Sequence, residues 1–396
     1  MTKRIRILRI SGVCILVYWI NYITRNMLSV TTPEMLKEPF FTKEYTGLLS
    51  SVCFLFYAVG QLFNGIIGDR VRPRYMVGAG LLISSGCTVL IPLFENRILH
   101  LVCFSVIGYS LSMLRGPMVK VISENSETRV AQLTCTFFSM AGFVGSLLAS
   151  LLSMFFNWRN VFFASAALSC TAAVVFFLNF LPLERSGVIT FTPKTTTGFK
   201  CFAEIFRLKG FFFYMLISAI TEVAFSSITF WIPTYATERL GLSQAGASMI
   251  YTLISVTGIC APFLSLFLYE KAVKNDVFLA GGMFTLSAFF FFLTFLFPTP
   301  TLNILFLILA RLFAACASSI VWTVYIPGLA GSGNVSGANG VIDAAGYLFA
   351  SVFNAIFAGA VGIVGWNGLI LIWCGVMLIG ALAALIRFLQ LRKSSR

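Results

Sequence analysis

Five ionisable residues lie inside long apolar runs of this chain: Arg25, Arg115, Glu222, Arg311 and Asp343. Holding such a group in a lipid interior costs roughly 2.5–3.5 kcal/mol on insertion scales, so each marks a candidate functional site. Together they carry one excess positive charge, and in a wet, low-dielectric cavity that excess attracts an anion. A guanidinium offers a planar fork that binds phosphate or carboxylate with two hydrogen bonds. Glu222, a membrane carboxylate, is the candidate for loading and releasing a proton. Arg311 has two readings: a second positive charge for an anion, or the neutralising partner of Glu222. By depth, Arg115 and Asp343 fall toward the cytoplasmic side on different helices, a pair suited to a gate ion pair, although Arg115 snorkelling to lipid headgroups is the plainer alternative.

Helices must position these groups. The chain has 396 residues, 58% hydrophobic and 11% charged, against about 25% charged in soluble domains, which excludes a water-soluble globule. The apolar stretches predict twelve spans at 10–36, 44–68, 75–94, 98–121, 130–154, 158–181, 210–237, 243–268, 276–297, 301–327, 335–362 and 365–388. They are too long for barrel strands. The fold class expected is an all-α membrane protein of twelve transmembrane helices in two six-helix halves: an N-terminal half 1–181, a cytoplasmic linker 182–209 and a C-terminal half 210–396. The linker holds Pro182, Pro193, a threonine-rich 195–197 and five basic residues. Asp69-Arg70 after the second span is echoed by Glu270-Lys271 after the eighth, and Asn157-Trp158 opening the sixth by Gly365-Trp366 opening the twelfth. Such internal duplication is usual in secondary transporters.

The net charge of +14 is topogenic. With both termini in the cytoplasm, 20 of the 28 basic residues fall on that side and 5 outside, as the positive-inside rule requires, and no nucleic-acid role is expected. The N-terminal Lys3, Arg4, Arg6 and Arg9 precede an apolar stretch without a cleavage site, which predicts a retained first helix. The ten cysteines form no CxxC pair, and one histidine, His100, excludes both His-based metal coordination and a Ser/His/Asp triad. No GxxxxGK[ST] phosphate cradle occurs, and the cluster Gly328, Gly331, Gly333, Gly337 and Gly340 is read as a flexible interhelical loop. Neither a cofactor nor enzyme activity is expected. The small-residue run Gly142, Gly145, Ser146 and Ala149 predicts close helix approach. Tyr18, Tyr22, Trp231, Tyr235 and Trp322 flank the buried charges, and for most of them packing is the plainer role.

The loop Gly68-Asp-Arg-Val-Arg-Pro-Arg74, with Gly65, resembles the signature between the second and third helices of the major facilitator superfamily. The resemblance implies the major facilitator fold and a cytoplasmic latch, with Asp69, Arg70 and Arg74 as a carboxylate and basic fork pinning one half against helix ends of the other. Further motifs are Asn21-Tyr-Ile-Thr-Arg25-Asn-Met-Leu-Ser29, Tyr57-Ala-Val-Gly60-Gln61 and Phe230-Trp-Ile-Pro233-Thr-Tyr235. With them the chain resembles the organophosphate:phosphate antiporter family, whose first helix is shared with the neighbouring anion:cation symporter family. That likeness implies a secondary active transporter of a small organic anion, organophosphate or carboxylate, working by alternating access, with Arg25 as anion clamp. Asn21 and Tyr22, within about one turn of Arg25, join Arg311 and Glu222 as substrate-binding candidates, and Glu222 is also the proton-coupling candidate. Departures from the family pattern are Phe225 where a second arginine is expected, Gln61 for a lysine, Asn26 for a basic residue and Lys120 for an arginine. They weaken the case for a doubly charged phosphate ester. The expected partners are the anion, inorganic phosphate or a proton as coupling ion, and membrane lipids, with the protein a monomer in the cell (inner) membrane. Antiporter and symporter remain alternatives, and relatives of these exchangers include non-transporting membrane sensors of extracellular organophosphates, a second reading for this chain.

Overall fold

The computed structural model describes residues 3–194, 199–242 and 244–394; the threonine-rich 195–197 of the expected linker lies outside the described residues. Among the described residues the secondary structure is helical throughout, in agreement with the all-α expectation. The elements are α1 (Lys3–Met35), α2 (Lys43–Gly68), α3 (Pro73–Leu93), α4 (Arg97–Leu111), α5 (Arg115–Asn125), α6 (Thr128–Ser139), α7 (Ala141–Phe155) and α8 (Trp158–Arg185). There follow α9 (Phe199–Phe206), α10 (Phe211–Glu238), α11 (Gln244–Lys271), α12 (Asp276–Leu296), α13 (Pro300–Ile320), a π-helical turn Val321–Tyr325, α14 (Ile326–Gly328) and α15 (Val335–Ser394).

The starts of these helices follow from local chemistry. Asn96, Asn157 and Asn275 each accept a backbone N–H of the first turn with their side-chain oxygens, as Thr42 does at α2, and Pro73 and Pro300 open α3 and α13 where a missing N–H costs nothing. Ten helices are long and apolar enough to cross a membrane among the described residues, or eleven if α6 and α7, bent by 43° at Met140, form one span. Span 98–121 is interrupted at Ser112–Leu114, because the ring of Pro117 clashes with the carbonyl one turn back and the chain restarts as α5. The last two expected spans run on as α15, bent at Gly365, where φ is 65°. Gly331 and Gly333 adopt left-handed conformations in the loop before α15, whereas Gly337 and Gly340 lie within α15. Only part of that glycine cluster is therefore a loop.

The chain forms two compact units, residues 1–205 with 326–344, and residues 206–325 with 345–396. In the first, α1 packs on α7 and α8, α3 on α4 and α8, and α2 on α4. The small-residue run lets α1 and α7 touch: a Cβ on Gly145 would strike the backbone carbonyl carbon of Tyr22 at 2.8 Å. The first turns of α15 cross α2 as closely, since a Cβ on Gly65 would lie 2.9 Å from the Cα of Gly340. In the second unit α13 packs on α11 and α12, and α10 on α11 and α13.

The two units repeat a set of polar fasteners. In the first, His100 Nε2 meets the carbonyls of Ile91 and Phe94, and Trp158 Nε1 donates to Glu38. In the second, Asn303 Nδ2 donates to the carbonyls of Thr294 and Phe297, and Trp366 Nε1 donates to Glu238. Ser85 and Ser287 each donate to a neighbouring helix carbonyl, those of Ala166 and Ala310. Except for the acceptors Ala166 and Ala310, these fasteners sit at sequence offsets of about 200 residues and answer the echo read from Asp69-Arg70 and Glu270-Lys271.

Candidate functional site

Arg25 is aimed by its two neighbours in the chain. Thr24 Oγ1 hydrogen-bonds Ser165 Oγ and Ser169 Oγ on α8, each at 2.9 Å, and Asn26 Nδ2 donates to Ser146 Oγ on α7 at 2.9 Å. Successive helix residues are turned by about 100°, so pinning positions 24 and 26 to two helices directs position 25 to the remaining sector, which faces α2. There the half-buried guanidinium lies 4.2 Å from the centroid of the Tyr57 ring and 5.3 Å from that of Phe54, and it donates to Tyr22 Oη at 3.3 Å. Gln61 Nε2 donates to Tyr57 Oη at 2.6 Å, fixing that ring. Aromatic faces stabilise a guanidinium through its positive charge while leaving that charge in place.

Arg115 stands at the start of α5 and its Nη1 lies 4.0 Å from Asp343 Oδ1, both side chains being almost fully buried. Tyr18, one helical turn before Tyr22, has its ring 5.3 Å from that of Tyr22 and lies within electrostatic reach of Arg115 and Asp343; Asp343 is likewise within reach of Arg25. Asn21 is 1% exposed, and neither of its amide atoms has a protein hydrogen-bond partner. The first unit thus gathers Tyr18, Asn21, Tyr22, Arg25, Arg115 and Asp343 into one polar cluster inside an apolar bundle.

The expected latch is arranged differently from a single carboxylate and fork. Asp69, just past α2, accepts from the backbone N–H groups of Ser336 at 3.1 Å and Gly337 at 2.8 Å, the opening turn of α15, where the helix dipole favours an anion. Burial pushes its carboxyl above the usual range, opposed by Lys120 and these two donors. Its cationic partner is Lys120, which is fully buried with Nζ 3.3 Å from Asp69 Oδ1 and 3.0 Å from the Asp69 carbonyl. Arg70 instead donates to Cys201 Sγ at 2.8 Å, and Arg74 pairs with Glu184 at the end of α8 at 2.9 Å. The carboxylate of the predicted fork meets α15 directly. Lys120 was legible as an unusual lysine after Gly116-Pro117, but no sequence signal tied it to Asp69, 51 positions away. Lys194 is a further addition: it hydrogen-bonds Asn334 and pairs with Glu204 at 2.5 Å, laying the linker against the loop before α15.

In the second unit the buried guanidinium of Arg311 lies 4.4 Å from the ring centroid of Phe225, the residue standing where a helix arginine was looked for, and within electrostatic reach of Glu222. Gly346 makes room for Glu222, since a Cβ there would be 2.9 Å from the Glu222 Cγ. Tyr235 is buried and donates to Asn303 Oδ1 at 2.6 Å, Trp231 packs edge-on to Trp366, and Trp322 is buried in the π-helical turn. Among the described residues no group of three or more His, Cys, Asp or Glu could hold a metal ion.

Membrane-length helices with charge held inside them define a multi-pass membrane protein. The sequence profile of the Major Facilitator Superfamily matches residues 14–351, and the chain belongs to that superfamily. It is 24% identical over 315 residues to the glycerol-3-phosphate transporter of Bacillus subtilis, covering 72% of this chain and 70% of that one. Over 274 residues it is 21% identical to the hexuronate transporter of the same organism, covering 65% of this chain and 64% of that one. Among solved structures, the human organic anion transporter TETRAN superposes with a TM-score of 0.71 at 14% identity, covering 97% of this chain and 100% of the other, a likeness of fold. These proteins are transporters and not enzymes, and the present chain is a multi-pass membrane protein of their class.

Proposed function

We propose that this chain is a secondary active transporter that moves a small organic anion by alternating access, with Arg25 as the anion clamp. The observation that carries the reading is the aim of Arg25: Thr24 and Asn26 fix the helix face, and aromatic rings frame a charged fork that stays half-exposed. Asn21 and Tyr22 complete the clamp on α1. Arg311 and Glu222 are the second unit's contribution, Arg311 as a further positive charge and Glu222 as the proton carrier in a symport cycle. The relatives named above, a glycerol-3-phosphate transporter and a hexuronate transporter, support an anionic cargo.

The bodies that move are the two six-helix halves, 1–181 and 210–396, joined by the linker 182–209. Asp69, Arg70, Arg74, Arg115 and Asp343 act as the gating set on the cytoplasmic side. Residues 326–344, which carry Asp343, group with the first unit, the unit that also holds Asp69, Arg70, Arg74 and Arg115. Both termini lie in the cytoplasm, the membrane is the inner cell membrane, and the working form is a monomer. Closure is driven by the difference in the anion's contacts between the open and occluded states.

Counterflow in proteoliposomes tests this. Radiolabelled glycerol 3-phosphate or a hexuronate should accumulate against an internal load of the same anion. Uptake that needs internal phosphate and ignores an imposed pH gradient assigns exchange and removes Glu222 from the cycle. Uptake driven by the pH gradient assigns symport. Binding without flux makes the protein a sensor and overturns the transport reading.

A further inference from the structure

Around Arg25 the first unit buries an unusual number of polar atoms that no protein group satisfies. Tyr18 Oη, both amide atoms of Asn21, Asp343 Oδ2 and both amide atoms of Asn339 have no protein hydrogen-bond partner, and their residues are 1%, 1%, 5% and 0% exposed. Asn339 precedes Asp343 by one turn on α15 and so shares its face, as Asn21 precedes Arg25 on α1. Such atoms are rare in folded proteins, and a site built around several of them is one where water or a polar ligand supplies the missing partners.

Their chemistry is mixed. Tyr18 and the two amide nitrogens donate, while Asp343 Oδ2 and the two amide oxygens accept. The fully ionised headgroup of a phosphate ester offers acceptors only, so by itself it leaves Asp343 and both amide oxygens unsatisfied and adds charge beside a carboxylate. Hydroxyl groups both donate and accept. The charges point the same way: Arg25, Arg115 and Asp343 sum to one positive charge, enough for a carboxylate, whereas a phosphate monoester carries about −1.5 to −2 at neutral pH.

We propose that Asp343, with Asn21 and Asn339, determines specificity by accepting hydrogen bonds from hydroxyl groups, so that the anion clamped by Arg25 is a polyhydroxylated monocarboxylate. The inference rests on the Arg25 clamp of the proposed function. Arg25 takes the carboxylate, the hydroxyls of the adjoining carbons reach Asp343 Oδ2 and the amide oxygens, and Tyr18 donates back to them. Asp343 then has two duties on its two oxygens, Oδ1 toward Arg115 and Oδ2 toward the cargo.

The test is isothermal titration of the purified full-length protein with four probes: gluconate, hexanoate, glycerol 3-phosphate and an uncharged hexitol. Gluconate should bind at least about tenfold more tightly than hexanoate, which has the charge without the hydroxyls, and more tightly than glycerol 3-phosphate; a site built to hydrogen-bond hydroxyls rejects analogues lacking them strongly. Asp343→Asn should weaken gluconate at least about tenfold and strengthen glycerol 3-phosphate. Asn339→Leu, which leaves the Arg115 pair intact, should weaken gluconate alone and serves if the first variant does not fold. Equal binding of gluconate and hexanoate, tighter binding of glycerol 3-phosphate, or binding of none of the probes overturns the inference. Tighter glycerol 3-phosphate binding that Arg25→Lys abolishes would sink only this inference; anion binding that Arg25→Lys leaves unchanged would sink the clamp as well.

Discussion

Replacing Asp69 by Asn removes one charge and one of its two carboxylate acceptors while keeping its shape. Asp69 accepts from the Ser336 and Gly337 N–H groups and faces the Lys120 ammonium at 3.3 Å, all out of contact with solvent. Removing one partner of a buried ion pair costs about 3–5 kcal/mol, because the other charge is left uncompensated. Loss of a hydrogen bond to a charged group, about 1.5–3 kcal/mol in isolation, overlaps with that figure and does not add to it. Lys120 Nζ keeps a second carboxylate, Glu124 Oε1, at 4.0 Å, so Asp69→Asn should destabilise the first unit by about 3 kcal/mol, the lower end of that range. Adding Lys120→Met removes the weakly paired ammonium, and replacement of a buried pair by an uncharged one is often near neutral. The double variant should recover roughly half of the loss and melt above Asp69→Asn alone. Thermal unfolding of the purified proteins in one detergent, followed by tryptophan fluorescence, reads the order directly. If the double variant melts below both singles by the sum of their shifts, the buried pair is not what holds this junction.

Three smaller perturbations test the elements that position the site. A methyl on Gly145 would meet the Tyr22 carbonyl carbon at 2.8 Å, so Gly145→Ala should push α1 off α7 at a cost of about 1–3 kcal/mol and lower the initial counterflow rate by turning Tyr22 and Arg25. Gly142→Ala, whose Cβ would sit at an ordinary 3.6 Å from Tyr22 Cε1, is the control and should transport normally; equal rates for the two would refute the close contact. The Arg159 fork, with Nη1 at 2.5 Å and Nη2 at 3.0 Å from Glu38, holds the Glu38 carboxyl below its usual range. A depressed carboxylate stabilises the fold above its unfolded-state value, about pH 4.3, and that contribution fades as the pH falls through the depressed value. Glu38→Gln should thus melt below the parent protein at pH 7, with the gap closing on acidification; a gap that widens at low pH contradicts the sign.

Much of the fold was readable from composition and run length, because lipid demands helices of a set length and leaves few alternatives. The breaks were harder. Pro117 explains the interruption after α4, yet a proline in a membrane helix gives either a kink or a restart, and only packing decides between them. The bend at Met140 has no proline or glycine at its own position, and Gly142 lies two residues beyond it. Arg115 and Asp343 were paired from depth alone and do lie 4.0 Å apart, because residues far apart in the chain share a membrane level. Lys120 stood out in the sequence as a lysine in place of an arginine, and Glu184 did not stand out at all. Their partners, Asp69 and Arg74, are 51 and 110 positions away, and no period in the sequence encodes which helix ends meet. The role of Thr24 and Asn26 was likewise hidden: a threonine and an asparagine beside an arginine look unremarkable until the serines they bind are located on α7 and α8.

The anion-clamp role of Arg25 is tested most directly by Arg25→Lys in a binding titration with the transported anion. Lysine keeps the charge between Thr24 and Asn26 but loses the two-pronged fork and its stacking on Tyr57. Membrane insertion and melting temperature should stay near those of the parent protein while affinity for the anion falls by about two orders of magnitude, equivalent to roughly 2.7 kcal/mol. Unchanged affinity in a folded, inserted variant would contradict the clamp.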